Sequence, residues 1–226
     1  MKVLVTGATG FIGSALIEYL ANIQGCTAVG MVRLIKDCYI STSVEFRLGE
    51  IGNLKKIDIN LSDIDVVIHT AGRAHIMTNN SSNPIEEFRR VNATGTLDLA
   101  RLAADSGVKR FIFLSSIKVN GEATKPGLYF TPDDVNVPSD PYGLSKFEAE
   151  QGLLALAKET AMETVIIRPP LVYGPGVKAN FSSIMTWMNR PVPLPFGAIH
   201  NQRSLVALDN LVSFISLCAD REKSPQ

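Results

Sequence analysis

The chain has 226 residues, 46% hydrophobic and 19% charged, with 22 basic and 22 acidic side chains. That length holds one sizeable α/β core and a small appendage, and the composition excludes a disordered chain. Zero net charge and the lack of any basic run exclude a nucleic-acid surface or a polybasic membrane anchor.

In chain order, residues 2–6 (KVLVT) read as a buried strand and 11–22 as a helix, with apolar side chains at helical spacing. Residues 26–33 and 44–49 are the second and third strands, followed by a helical turn near 53–56. DVVIHTA (65–71) is the fourth strand. Residues 84–107 form one long helix with Gly107 as a C-cap. RFIFLSS (110–116) is the fifth strand, and 139–160 a second long helix capped by Ser139 or Asp140, with Pro141 in its first turn. TVIIRP (164–169) is the sixth strand. Residues 169–200 are rich in Pro and Gly and read as a loop-rich stretch with a helix near 180–189. Residues 204–220 return to the main body as a short strand and a helix.

Alternating strands and helices imply right-handed βαβ crossovers. The near-continuous apolar runs fit strands covered on both faces. The fold class is therefore α/β, a Rossmann-type doubly wound parallel sheet with a small C-terminal substrate-binding region. The expected division is 1–169 dinucleotide-binding, 170–203 substrate-binding, 204–220 returning to the first part, and 221–226 a tail.

Cys26, Cys38 and Cys218 are odd in number, widely spaced and without a CxxC, which points to a reducing compartment rather than a disulfide framework. His69, His75 and His200 never stand at metal-ligand spacing, so no metal is expected. The chain opens on Met-Lys and then a strand, and no apolar stretch reaches transmembrane length. No signal peptide, no membrane and a cytoplasmic location are the expectations.

VTGATGFIG (5–13) places three glycines between the first strand and the first helix. Gly7 permits a tight turn, Gly10 lets the backbone approach a pyrophosphate, and Gly13 lets the helix pack close to the sheet. Unpaired N–H groups at the helix start then face the phosphates. The spacing is G-x-x-G-x-x-G, and the strand-before, helix-after context identifies a dinucleotide seat. The end of the second strand carries Arg33, where an acidic ribose reader is usual. An arginine there suits a 2′-phosphate, so the cofactor is NADP or NAD, with NADP favoured.

Tyr142 and Lys146 stand four apart on a helix and share a face. A cation beside a phenol favours phenolate and would lower its pKa. A hydroxyl ending the fifth strand, Ser116 or its neighbour Ser115, would hold the substrate oxygen. These features fall where the carboxyl ends of parallel strands open on a ligand crevice.

TGATGFIG (6–13), VVIHTAG (66–72), VNATGT (91–96), FLSSIKVNG (113–121), PYGLSK (141–146), RPPLVYGPG (168–176) and RSLVALDNLV (203–212) together resemble the extended short-chain dehydrogenase/reductase family. The resemblance is to its nucleotide-sugar epimerase, dehydratase and reductase branch and runs over about residues 1–220. It implies an enzyme working at C4 of a nucleotide sugar, with Ser116, Tyr142 and Lys146 as the catalytic triad. It further implies cofactor contacts from Gly7, Thr9, Gly10, Phe11, Ile12, Gly13, Glu50, Ile51, Thr70, Ala71 and Gly72, besides Tyr142 and Lys146. Ser116, Asn180, Phe196 and Arg203 match substrate-binding positions.

The dehydratases of the branch carry carboxylates after the fifth strand; here the segment reads Ser116-Ile117-Lys118, which argues against dehydration and leaves epimerase or 4-keto-reductase. SSIKVNGE (115–122), with PYGLSK (141–146) and RPPLVYGPGVKANF (168–181), most resembles a bacterial subgroup handling UDP-N-acetylhexosamines for surface polysaccharides. A UDP-sugar substrate and a homodimer are the implied partners. Relatives of this kind continue beyond position 226, so the resemblance implies a shortened chain with a whole cofactor half. The competing reading is a non-catalytic module that senses NADP. Relatives of that kind often lack the Tyr or the Lys, and both are here.

Overall fold

The computed structural model describes residues 1–35, 43–53, 59–74, 83–134, 136–177, 185–188 and 202–220. Six parallel strands make the main sheet: β1 (Lys2–Thr6), β2 (Thr27–Val32), β3 (Glu45–Leu48), β4 (Val66–His69), β5 (Arg110–Leu114) and β6 (Glu163–Ile167). Their order is β3-β2-β1-β4-β5-β6, the doubly wound arrangement expected. The chain reverses direction across the sheet between β1 and β4, which opens a crevice at their carboxyl ends.

Strand side chains alternate between two helical layers. Val3 and Val5, with Ile68 and Ile112, pack under α1 (Phe11–Ala21) and, near the C-terminus, α5 (Leu208–Ala219). Leu4, Val67, Phe111 and Phe113 meet α3 (Gly95–Asp105) and α4 (Pro141–Glu159) on the other face. In α4 the buried Ala149, Leu153 and Leu156 recur at helical spacing against that layer. Asp140 caps α4, its carboxylate accepting from the Gly143 N–H at 3.0 Å, and Pro141 follows at the first helical position.

The helix expected over 84–107 is not one α-helix. It starts as α2 (Pro84–Phe88), widens into a π-helical stretch over Arg89–Thr94, and resumes as α3. The Gly95 N–H reaches back to the Arg90 carbonyl, five residues away, as a π turn requires. The C-cap reading holds. Gly107 has φ +82°, its N–H bonds to the Ala104 carbonyl at 3.1 Å, and the Val108 N–H to Ala103 at 3.0 Å.

The stretch after Pro169 holds more order than a loop. β7 (Leu171–Tyr173) pairs in parallel with β8 (Leu205–Ala207) as a second sheet beside α5. Residues 185–188 are helical; the rest of the helix expected near 180–189, and residues 54–56 of the turn expected near 53–56, lie outside the described residues.

Candidate active site

The glycine turn links β1 to α1. Gly7 has φ +71°, and a Cβ there would stand 2.8 Å from the Ala71 nitrogen. A Cβ on Gly13 would stand 2.1 Å from the Gly7 carbonyl oxygen, so only glycine lets α1 start this close to the turn. Gly10 is exposed at the helix N-cap with no side-chain cap bond, and the first turn of α1 carries no acidic residue. The first N–H groups of α1 are left for an anion. This donor set and a turn cleared of side chains fit the diphosphate of a dinucleotide. Thr9 is exposed on the same turn, and Phe11 and Ile12 are half-buried at the start of α1.

The other expected cofactor residues lie at neighbouring strand ends. Thr70, Ala71 and Gly72 follow β4 and pack on the turn. The Thr70 hydroxyl donates to the Thr6 carbonyl at 2.7 Å, and the Ala71 N–H donates to Thr6 Oγ1 at 3.3 Å. Glu50 and Ile51 follow β3; Ile51 lies against Gly95, where a Cβ would meet its Cγ2 at 2.6 Å. Arg33 follows β2 and is exposed, with no carboxylate partner among the described residues.

Tyr142, Lys146 and Ser116 gather at the carboxyl ends of β4 and β5. Tyr142 sits in the first turn of α4, with Phe88 edge-on at 6.1 Å. Burial raises its pKa; the nearby Ser116 hydroxyl opposes that rise, and the Asp140 charge adds to it. The expected lowering by Lys146 is absent. The Lys146 ammonium donates to the Leu114 carbonyl at 2.9 Å and lies 4.5 Å from the centre of the Phe113 ring. Burial brings the Lys146 pKa down to about 8, against the pull of Glu150. The same ammonium borders the cofactor loop: a Cβ on Gly72 would stand 3.2 Å from it.

Of the two serines, Ser116 faces the site and Ser115 is buried with no partner for its hydroxyl among the described residues. A cleft of about 510 Å³ opens beside Tyr142, lined by Ala74, Pro84, Phe88, Lys118, Asp140 and Pro141. Arg203 is exposed just before β8, and no hydrogen bond or ion pair joins it to the Ser116–Tyr142 site among the described residues. Asn180 and Phe196 lie outside the described residues.

Sequence reasoning missed the supports beneath these residues. Asn92, in the π stretch, accepts from the Arg73 N–H at 2.8 Å and donates to the Arg73 carbonyl at 3.0 Å, clamping the end of the cofactor loop. It also donates to the Ser145 hydroxyl on α4 at 3.0 Å. Glu150, fully buried one turn beyond Lys146, pairs with Arg168 through bonds of 2.6 to 3.2 Å. Its signal was legible, since Lys146 and Glu150 stand four apart on the face that already held Tyr142.

Residues 3–226 match the sequence profile of the NAD dependent epimerase/dehydratase family. The chain belongs to that family. A UDP-glucose 4-epimerase of Vibrio cholerae is 48% identical over 226 residues, which is 99% of this chain and 68% of that protein. The chain spans 58 to 65% of three more distant curated relatives. Among solved structures, a Bacillus cereus UDP-glucuronic acid 4-epimerase in complex with UDP-glucuronic acid and NAD superposes with a TM-score of 0.83 at 26% identity, covering 99% of this chain and 74% of that one. A Thermotoga maritima UDP-glucose 4-epimerase with UDP-glucose gives 0.79 at 27% identity, over 96% and 73%. Family membership makes this an enzyme chain of the extended short-chain dehydrogenase/reductase class with a Rossmann-type fold. Among the described residues, no helix is long and apolar enough to cross a membrane.

Proposed function

We propose that this chain carries the coenzyme seat and proton-transfer site of an NAD-dependent 4-epimerase acting on a UDP-linked hexose. The observation that carries the reading is Tyr142 on the wall of the cleft in the first turn of α4, with Ser116 just after β5 and the buried Lys146 ammonium one turn on, against the cofactor loop. Gly7, Thr9, Gly10, Phe11, Ile12 and Gly13 would hold the diphosphate, Glu50 and Ile51 the adenine end, and Thr70, Ala71 and Gly72 the stretch towards the reactive ring. Bound NAD supplies a hydride acceptor that later returns the hydride, so epimerisation has no net oxidation.

Within this reading, Tyr142 takes the proton of the C4 hydroxyl as that carbon is oxidised and gives it back as the ketone is reduced on its other face. Ser116 holds the same oxygen through its hydroxyl. To take that proton Tyr142 must first be phenolate, the form that its burial disfavours. Lys146 is the buried cation on the same helix face; its ammonium, bonded here to the Leu114 carbonyl, would favour the phenolate only if turned towards the phenol.

The name of the Vibrio cholerae relative supports UDP-glucose as substrate. The Ser115–Glu122 segment supports a UDP-N-acetylhexosamine for bacterial surface polysaccharide. Residues 170–203 would contribute the sugar side of the site, with Asn180, Phe196 and Arg203 on the nucleotide. The reading places the enzyme in the cytoplasm. It also makes it a homodimer through α3 and α4, where Leu154 is half exposed.

The test is turnover without added coenzyme. Purified protein should convert UDP-glucose or UDP-N-acetylglucosamine to its galacto isomer and release NAD on denaturation, read by mass spectrometry. A requirement for stoichiometric NADPH and a 4-keto sugar would replace the reading with the 4-keto-reductase that Arg33 favours. Retention of NADP with no turnover of any sugar would favour the sensing module.

A further inference from the structure

His69, the last residue of β4, is fully buried and stacks on Phe113 with ring centres 5.8 Å apart. Both of its ring nitrogens are bonded: Nδ1 to Thr6 Oγ1 at 2.6 Å and Nε2 to Thr96 Oγ1 at 2.9 Å. The directions of these bonds follow from what lies at each end. The Thr96 hydroxyl donates to the Asn92 carbonyl at 2.7 Å, and a carbonyl can only accept. The proton of Thr96 is thereby used, so His69 Nε2 must be the donor to it. Burial, with the Lys146 charge nearby, pulls the His69 pKa down to about 3, so the ring is neutral and Nδ1 must accept from Thr6.

Beyond Asn92 the chain of bonds runs on. The Asn92 amide donates to Ser145 Oγ at 3.0 Å, and the Ser145 hydroxyl donates to the Tyr142 carbonyl at 2.7 Å. At its other end, Thr6 Oγ1 accepts from the Ala71 N–H and stands one residue before Gly7. Every proton between Thr6 and Tyr142 has one acceptor, and all point the same way.

We propose that His69 is a positioning residue: through Thr96 and Asn92 it holds the π turn so that the Asn92 amide fixes α4 at Ser145 and sets Tyr142 relative to the glycine turn. This rests on Tyr142 being the proton-transfer group proposed above. The π stretch is then functional. A regular α-helical turn would shift the Asn92 side chain around the helix and swing its amide off both Arg73 and Ser145.

The test breaks the chain at two points. Thr96→Val keeps the shape and removes the hydroxyl; kcat should fall about tenfold or more, with KM for the nucleotide sugar within about twofold. Thr96→Ser, which restores the hydroxyl while trimming a methyl, should return kcat to within about twofold of native. Ser145→Ala removes one buried atom at a position where alanine favours the helix, and should reproduce the loss seen in Thr96→Val. Native kcat in a folded Thr96→Val or Ser145→Ala enzyme overturns the proposal, as does a loss in Thr96→Ser equal to that in Thr96→Val.

One arm needs neither substrate nor a change in the relay. In a His75→Gln, His200→Gln double variant His69 is the only histidine, and its ¹⁵N spectrum should show a protonated Nε2 and a bare Nδ1 from pH 8 to 5.5. Protonation at Nδ1, or titration in that range, overturns the relay. A native chain that turns over no nucleotide sugar would sink the proposed function separately, leaving this spectrum to judge the relay.

Discussion

On the α1/α5 face, the sheet meets its helices through apolar side chains, apart from Arg110 at the amino edge, which donates to the Cys218 carbonyl at 2.6 Å. On the α3/α4 face the same sheet is apolar at its amino end and polar at its carboxyl end. There Thr6, His69, Asn92, Thr96, Ser145, Lys146 and Glu150 are all buried. Burying a polar group without a partner costs about 1–3 kcal/mol, so a chain selected for stability alone would fill these positions with hydrocarbon. Each of the seven is bonded, charge-paired or both. One face supplies cohesion by area; the other spends fixed geometry on holding Tyr142, Lys146 and the cofactor loop in register.

The sharpest way to separate the two is to change one group on each. Tyr142→Phe removes the phenolic oxygen from the polar face. Turnover should fall at least ~100-fold, the scale of a lost general acid–base group, with the melting temperature little changed. Unchanged turnover would take Tyr142 out of the mechanism. Ile215→Ala does the reverse on the apolar face. Ile215 is fully buried between α5 and the sheet, and its truncation should cost about 2–5 kcal/mol by urea unfolding while leaving turnover per folded molecule intact. A drop in turnover matching that of Tyr142→Phe would show that the two faces are not separable.

A pH series sharpens the comparison further, because the polar face carries the titrating groups. The charge on Lys146 is present below its pKa of about 8 and is lost as pH rises through that value. The free-enzyme kcat/KM should therefore fall above about pH 8, by roughly tenfold per unit, with no matching change in the far-ultraviolet spectrum. A profile flat to pH 10 would mean that the ammonium is not needed. His69 works in the opposite sense for stability. Its folded pKa lies below the unfolded value, so the unfolded chain binds the extra proton and stability falls as pH drops from 6.5 towards 3.

What could be read in the sequence follows the same division. Strands such as Val66–His69 and Arg110–Leu114 announce themselves through continuous apolar runs, and the glycine turn through spacing, because these are local patterns. Tyr142 and Lys146 were legible for the same reason, being one helical turn apart. The π stretch at Arg89–Thr94 was not, since it goes with bonds from Asn92 to residues 19 and 53 positions away. β7 was hidden in another way. Its three residues are too few for a period, and its partner β8, the short strand expected within 204–220, lies far along the chain. The expected effect of Lys146 on Tyr142 failed because spacing gives a shared face but not where a flexible ammonium will point. Here it points at the Leu114 carbonyl.

The smallest effect lies outside both faces, at the exposed end of β2. Arg33 is exposed and has no carboxylate partner among the described residues, yet the solved relatives named above include one that holds NAD. An exposed guanidinium contributes one screened charge-assisted bond, so Arg33→Ala should weaken NADP binding by about five- to tenfold and leave NAD affinity unchanged. Titration of both coenzymes into wild type and variant reads this directly. Equal losses for the two would assign Arg33 to the adenine or the shared diphosphate rather than to the 2′ position. No loss for either would leave it a solvated side chain, and the choice of coenzyme would then rest on Glu50 and the backbone after β3.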